Sequence, residues 1–471
     1  MNPKATKFAL SLAVAVLILL IPTDVIPIKD LSIVEHRVMA LFVFAAMLWI
    51  LEPIPIYATS ILIIVIELLS ISTSGINVLI DNPAESFGSL INYKDIMGTF
   101  ASPIILLFLG GFFLAMASTK YRLDQSLAKV LLKPFGTRPK MIMLGLMIIT
   151  AIFSMFMSNT ATTAMMLSIL APVLGYFDEK DPGRIAFALS IPVAANIGGL
   201  GTPIGTPPNA LALKYLNGAD SISFGEWMAF GVPFVIVLLT IAWLLLLKFF
   251  PPKAENINIE IKGKFLTTSK AIIVYVTFAL TILLWLFDFV HGMNSYTVAM
   301  IPVAIFLAFS IITKEDLKKM SWDVLWLVSG GIALGLALDK SGLAGHVVNS
   351  IPFNSYSPFL IVALAAVLST VMANFMSNTA TANLLLPIIT AVGVSVVSLE
   401  PFGGAKMLIL ATAMAASLGM ALPISTPPNA LAHATGLIQS KDMSKTGVII
   451  GIIGLVLIFA TMYILNLVNF F

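Results

Sequence analysis

The sequence predicts an all-α integral membrane protein, with eleven transmembrane helices and two re-entrant hairpins arranged as two inverted repeats. Three observations carry this prediction. The 471 residues are 59% hydrophobic and 10% charged, with a mean hydropathy of +1.02, a balance found in polytopic membrane proteins and not in soluble domains. Two heptapeptides occur twice. Phe156-Met-Ser158-Asn159-Thr160-Ala-Thr162 returns as Phe375–Thr381, 219 residues on, and Thr206-Pro207-Pro208-Asn209-Ala-Leu-Ala212 returns as Thr426–Ala432, 220 residues on. Finally, lysine and arginine gather in a few connecting loops and are scarce in the others.

About 20 apolar residues are needed to cross roughly 30 Å of hydrocarbon. Stretches of that kind lie near 8–27, 36–54, 57–75, 98–118, 184–216, 229–250, 269–290, 296–313, 322–340, 404–436 and 444–468. The first follows Lys4 and Lys7, as a secretion signal would. No small-residue cleavage site follows it, and Pro22 and Asp24 come next, so it reads as a retained helix. Two further apolar stretches, near 141–177 and 355–398, each carry Ser-Asn-Thr at their middle.

Charge decides how those two are threaded. Segment 119–140 holds Lys120, Arg122, Lys129, Lys133, Arg138 and Lys140 against Asp124. Segment 248–270 is also basic, and Lys314, Lys318 and Lys319 mark a third such loop. Loops 76–97, 217–228 and 291–296 contain only Lys94. Basic loops stay in the cytoplasm. Every loop falls on its required side if 141–177 and 355–398 dip into the membrane and return, which puts the N-terminus in the cytoplasm and the C-terminus outside it. Each copy then has five crossings, an odd number, so successive copies insert in opposite senses. The division is a first helix in 1–35, one repeat in 36–250, a cytoplasmic linker in 251–268 and the second repeat in 269–471. Gly110-Gly111 and Gly330-Gly331 keep the same offset.

The duplicated motifs carry the chemistry. Ser, Asn and Thr are N-cap residues, and good helix formers follow both triplets, so each tip should turn into a helix N-terminus. Proline is tolerated at a first helical position, so Thr206 can cap and Pro207 can start a second half-helix. The glycines and prolines of 196–205 should unwind the chain upstream of it, and 417–425 should do the same in the second copy. Four half-helix N-termini then converge. At roughly half a charge each they supply about two positive charges, which matches a dianion. Hydroxyl, amide and unwound carbonyl oxygens suit a small hard cation beside it.

These features resemble the divalent anion/sodium symporter family, which includes bacterial and animal di- and tricarboxylate carriers. The likeness spans the chain after its first helix. It implies a secondary transporter of the elevator type, working as a homodimer in the cell membrane on succinate, malate, fumarate or 2-oxoglutarate. It also implies that Asn159, Thr160, Asn378 and Thr379 contact the carboxylates, and that Thr202, Pro203, Leu422 and Pro423 border the substrate. One Na+ site would use Ser154, Ser158, Asn159 and the backbone around Gly199. A second would use Asn378 and the backbone around Ala373 and Ala421.

Other readings remain open at this stage. They are a sodium-independent dicarboxylate exchanger, a carrier of citrate or sulfate, and an anion channel. An enzyme is not expected, because the expected site has no His, Cys or carboxylate at its centre, and no basic face points to nucleic acid. Glu67 lies within the third span, where an acid is a functional candidate by default, here set against snorkelling or a subunit contact. Lys214 and His433 each follow a Pro-Pro-Asn, about 10 Å of helix rise beyond its start, and could substitute for a coupling ion. Asp288 and Asp323 read as water-facing residues near span ends.

Overall fold

The computed structural model describes residues 3–28, 30–81, 85–257 and 264–471. Residues 258–263, in the middle of the expected linker and including Glu260 and Lys262, lie outside the described residues. Among the described residues the chain is helical, and its one extended pairing is a bridge between Ser72 and Ile91.

The main helices are α1 (Pro3–Leu20), α2 (Ile33–Leu51), α3 (Ile56–Ser70), α4 (Pro103–Lys120), α5 (Leu123–Leu132), α6 (Pro139–Phe156), α7 (Asn159–Val173), α8 (Gly183–Gly199), α9 (Pro207–Tyr215) and α10 (Phe224–Phe249). They continue as α11 (Ser269–Leu286), α12 (Ser295–Ala308), α13 (Trp322–Ser341), α14 (Leu343–Ser350), α15 (Pro358–Phe375), α16 (Asn378–Ser395), α17 (Gly404–Ala416), α18 (Pro427–Ala434) and α19 (Ser440–Leu467). The series α2 to α10 is matched member for member by α11 to α19. Among the described residues, ten helices are long and apolar enough to cross a membrane. Those ten include α6, α15 and α16, the expected hairpin arms, so length alone does not separate crossings from hairpins.

Local chemistry sets the boundaries. Helices α4, α6, α9, α15 and α18 begin with proline in the first turn, where its missing N–H breaks no intrahelical bond. Helices α2 and α10 start at Ser-x-x-Glu capping boxes, Ser32 with Glu35 and Ser223 with Glu226, each satisfying two orphan amides. Only Met157 and Ser158 separate α6 from α7, and only Met376 and Ser377 separate α15 from α16. Both Ser-Asn-Thr segments therefore sit at sharp helix–helix turns.

The two series interlock. Helix α3 packs along α13, and α12 packs along α4. The contacts are equivalent: a Cβ built on Gly110 would lie 2.3 Å from the Ala299 carbonyl oxygen, and one on Gly330 would lie 2.3 Å from Ser60 Cβ. Ser60 and Ala299 are each the fifth residue of their helix, α3 and α12. The paired glycines thus remove side chains where each series crosses the other. We expect Gly110→Val and Gly330→Val to lose the monodisperse folded species on fluorescence-detected size exclusion. Gly345→Ala, with nothing within 4 Å of a built Cβ, should keep it. A normal profile for Gly330→Val would contradict this packing.

The basic loops meet on one face. Lys120 pairs with Asp316 at 2.5 Å and also donates to Ile311 O at 2.8 Å. Ile257 N donates to Thr137 O at 2.8 Å, and the backbone amides of Lys253 and Ala254 donate to the Asp181 carboxylate. Slight burial raises the Asp316 carboxyl, but bonds from Lys120 and Thr313 outweigh it and bring the pKa down to about 2. Segments 119–140, 178–183, 248–257 and 310–320 therefore share a face. On the other face Trp285 stacks on Phe224 with ring centroids 4.6 Å apart, joining the acidic and neutral loops. The three basic loops that charge placed together are together in the folded chain.

Candidate functional site

Helices α8 and α17 are the most enclosed elements, and from Ala186 to Thr206 every residue is buried. Backbone groups released by a break there must be satisfied inside the protein. The Pro-Pro-Asn asparagines do this. Asn209 Nδ2 donates to Gly199 O at 3.1 Å and Thr202 O at 2.9 Å. Its repeat partner Asn429 donates from Nδ2 to Met420 O at 2.8 Å and Leu422 O at 3.0 Å. Each amide clasps the unwound segment just upstream. The break in the first copy is shorter than expected, since Asn196 to Gly199 remain helical.

All four half-helix N-termini open onto one cavity of about 190 Å³. Its wall includes Ser158, Asn159 and Thr160 at the start of α7, and Ser377, Asn378 and Thr379 at the start of α16. Thr206 and Pro207 of α9 join them, with Ser425, Thr426 and Pro427 at α18. Phe108, Phe112 and Phe156 add apolar surface. The cavity reaches Ile56 and Asp323, at the starts of α3 and α13 on the face of the basic loops, and includes no residue from the far ends of those helices.

The two halves of the wall differ in their caps. Ser377 Oγ accepts from Ala380 N at 3.2 Å and Thr426 Oγ1 accepts from Asn429 N at 3.3 Å. Ser158 and Thr206 make no side-chain cap. In the first copy the Ser158 and Thr206 hydroxyls therefore make no cap bond and the Asn209 amide donates instead to the Thr206 carbonyl at 3.2 Å, whereas in the second copy hydroxyl and amide satisfy each other. Asn196 links the copies, donating from Nδ2 to Asn429 Oδ1 at 3.0 Å and Thr426 Oγ1 at 3.2 Å.

Behind the first tip, Ser154 Oγ lies 2.7 Å from Ala195 O and within hydrogen-bond reach of Asn159 Oδ1. A hydroxyl has one proton, so it cannot serve both acceptors. Gly199 closes the same group: a Cβ there would lie 3.0 Å from Asn159 Nδ2. Behind the second tip, one terminal atom of the Asn378 amide lies 3.3 Å from Gly419 O and 3.2 Å from Ala416 O. Nitrogen in that position donates to both carbonyls. Ala195 and Ala415 occupy matching places before the two breaks, and each carbonyl accepts from a hairpin-arm hydroxyl, Ser154 or Thr370.

The remaining expected residues sit elsewhere. Thr202, Pro203, Leu422 and Pro423 contribute nothing to the cavity wall. Thr202 Oγ1 donates to Met155 O, tying the unwound segment to a hairpin arm. In the second copy Leu422 has no hydroxyl, and the tie runs instead from Ser425 Oγ to Asn374 O at 2.9 Å and from Ala421 N to Asn374 Oδ1 at 2.8 Å. Ala373 is fully buried against Gly419. Lys214 and His433 do not reach the cavity: Lys214 Nζ donates to Ile332 O at 2.7 Å, and His433 lies 3.3 Å from Ser440 Oγ. Asn196 and Asp323 line the wall although sequence reading did not place them there. The Thr-Pro-Pro-Asn repeat signalled Thr206 and Thr426, but no periodicity flags Asp323.

A cavity ringed by hairpin tips and broken helices in the interior of an apolar helical bundle defines a multi-pass membrane transporter. The chain belongs to the family described as the sodium:sulfate symporter transmembrane region, which it matches over residues 2–468. It is 32% identical over 468 residues to the sodium-dependent dicarboxylate transporter SdcS of Staphylococcus saprophyticus, covering 91% of this chain and 85% of that one. It is 33% identical over 478 residues to SdcS of Staphylococcus aureus strain NCTC 8325, covering 92% and 86%. Among solved structures, the YdaH transporter of Alcanivorax borkumensis shares the fold, with a TM-score of 0.57 at 13% identity over 92% of this chain and 98% of that one.

Proposed function

We propose that the protein moves a C4-type dicarboxylate such as succinate, malate or fumarate, or 2-oxoglutarate, across the cytoplasmic membrane by sodium symport. The observation that carries this reading is the convergence of four helix N-termini on one cavity whose wall holds no Lys, Arg or His. An anion there is held by amides, hydroxyls and helix dipoles worth about two charges in all. The sodium-dependent dicarboxylate relatives support a carboxylate cargo over sulfate.

In this reading Asn159, Thr160, Asn378 and Thr379 meet the carboxylates, with Thr206 and Thr426 beside them. Ser154, Ser158, Asn159 and the carbonyls of Ala195 and Gly199 would hold one sodium ion. Asn378 with the carbonyls around Ala373, Ala416, Gly419 and Ala421 would hold a second. Each ion would share an asparagine with the substrate, so cation binding orders the tip that the anion needs. Eleven crossings with two re-entrant hairpins in inverted repeats, an N-terminus in the cytoplasm, and an elevator motion within a homodimer complete the proposal. Thr202, Pro203, Leu422 and Pro423 would act one layer out, fixing the unwound segments.

Uptake of radiolabelled succinate into proteoliposomes should require external sodium and stop when choline replaces it. Uptake unchanged in choline would refute sodium coupling. Uptake that occurs only when the liposomes contain dicarboxylate would identify an exchanger, and competition by sulfate alone would move the cargo to sulfate.

A further inference from the structure

We propose that Asp323 is a charge filter at the mouth of the cavity, selecting doubly charged anions over triply charged ones. This rests on the dicarboxylate reading and adds the charge number of the cargo to it. Asp323 is the single charged side chain in the cavity wall. The matching turn of α4 carries Pro103 and Ile104, so the charge exists in one copy only.

The geometry gives the charge a direction. The inner wall is built from the Ser-Asn-Thr tips and the Thr-Pro starts of α9 and α18, while Asp323, Val324 and Leu327 of α13 line another part of it with Ile56. Asp323 itself is exposed, at the open rim. Two carboxylates of a bound dianion occupy the tips, where about two positive charges balance them. A third carboxylate finds the roughly two positive charges of the four helix starts already balanced. It must project toward the rim, next to the Asp323 carboxylate.

Repulsion between two partly hydrated charges a few ångströms apart disfavours the trianion by about tenfold. An aspartate in the first turn of α13 also complements that helix's own dipole. That structural role does not depend on the charge of the cargo, so the test has to compare anions.

Equilibrium binding of radiolabelled succinate to the detergent-solubilised full chain in sodium chloride exposes both faces of the protein. Propane-1,2,3-tricarboxylate serves as the triply charged competitor and unlabelled succinate as the doubly charged one. In the native protein the tricarboxylate should compete poorly at pH 7.5 and better at pH 5.5, as its third carboxyl gains a proton. In Asp323→Asn its inhibition constant relative to that of succinate should improve about tenfold at pH 7.5, with most of the pH effect gone. Asp323→Glu should restore discrimination. An unchanged ratio in Asp323→Asn, with succinate still bound, overturns the filter. Absence of sodium-dependent succinate binding in the native protein overturns the functional reading instead.

Discussion

Sodium-driven succinate uptake should fall at least about a hundredfold in Asn159→Ala and in Asn378→Ala. Each asparagine stands where two demands meet. Its position at the first turn of α7 or α16 puts it in the cavity wall, and its amide also faces the oxygens behind the tip. A hydrogen bond to a charged group contributes about 1.5–3 kcal/mol, and alanine removes one toward the anion together with an oxygen ligand for the cation. Losing both amounts to about 3–4 kcal/mol, or two to three powers of ten in uptake at limiting substrate.

The two demands can be separated. Asn159→Asp keeps an oxygen toward Ser154 and Ala195 but sets a negative charge against the dianion. Sodium should still raise the thermal midpoint of that variant, while succinate should not raise it further. If succinate stabilises Asn159→Asp as it does the native protein, Asn159 does not touch the substrate. Native uptake by Asn159→Ala would refute the placement altogether.

Much of this was legible in the sequence because the informative segments break local rules. Polar, proline-bearing heptapeptides inside apolar surroundings can persist only where their backbone finds partners, and their repetition fixes the register between copies. Helix starts at Asn159, Pro207, Asn378 and Pro427 follow from cap and proline chemistry alone. What stayed hidden depends on contacts between distant segments. The clasp from Asn209 to Gly199 and Thr202 needs an unwound loop to turn back on itself. Asn196 reaches Thr426 and Asn429, 230 and 233 residues away. Thr202 and Leu422 differ at matching positions, and from sequence the difference falls on the substrate's surroundings. In the fold it falls on the anchor between unwound segment and hairpin, with Asn374 and Ser425 doing in the second copy what Thr202 does in the first. Asp323 is exposed, as its position near a span end predicts, but it also lines the cavity.

Glu67 and Lys214, separate curiosities in the sequence, belong together. Glu67 is fully buried in α3, and neither carboxylate oxygen finds a hydrogen-bond donor among the described residues. Lys214 ends α9, the half-helix whose start lines the cavity, and it interacts electrostatically with both Glu67 and Asp339. Gly335 makes room for it: a Cβ there would lie 2.3 Å from Tyr215 Oη and 3.0 Å from Lys214 Nζ. They form no direct ion pair among the described residues, but Lys214 is the cation nearest in influence to this buried acid, and Lys214→Met removes both that influence and the bond to the Ile332 carbonyl. Lys214→Met should therefore lower the thermal unfolding midpoint clearly. Glu67→Gln should cost less, because Lys214 retains the Ile332 carbonyl and Asp339. The double variant Glu67→Gln/Lys214→Met should be more stable than Lys214→Met alone, since it removes the stranded carboxylate. Additive losses in that cycle would mean that the two residues do not sense each other. If they do interact, α9 is held at both ends, by anion chemistry at Pro207 and by the buried Lys214, whose Nζ donates to Ile332 O. A shift of the half-helix during transport must then break the Lys214 interactions, and Lys214→Met should change the uptake rate more than succinate affinity.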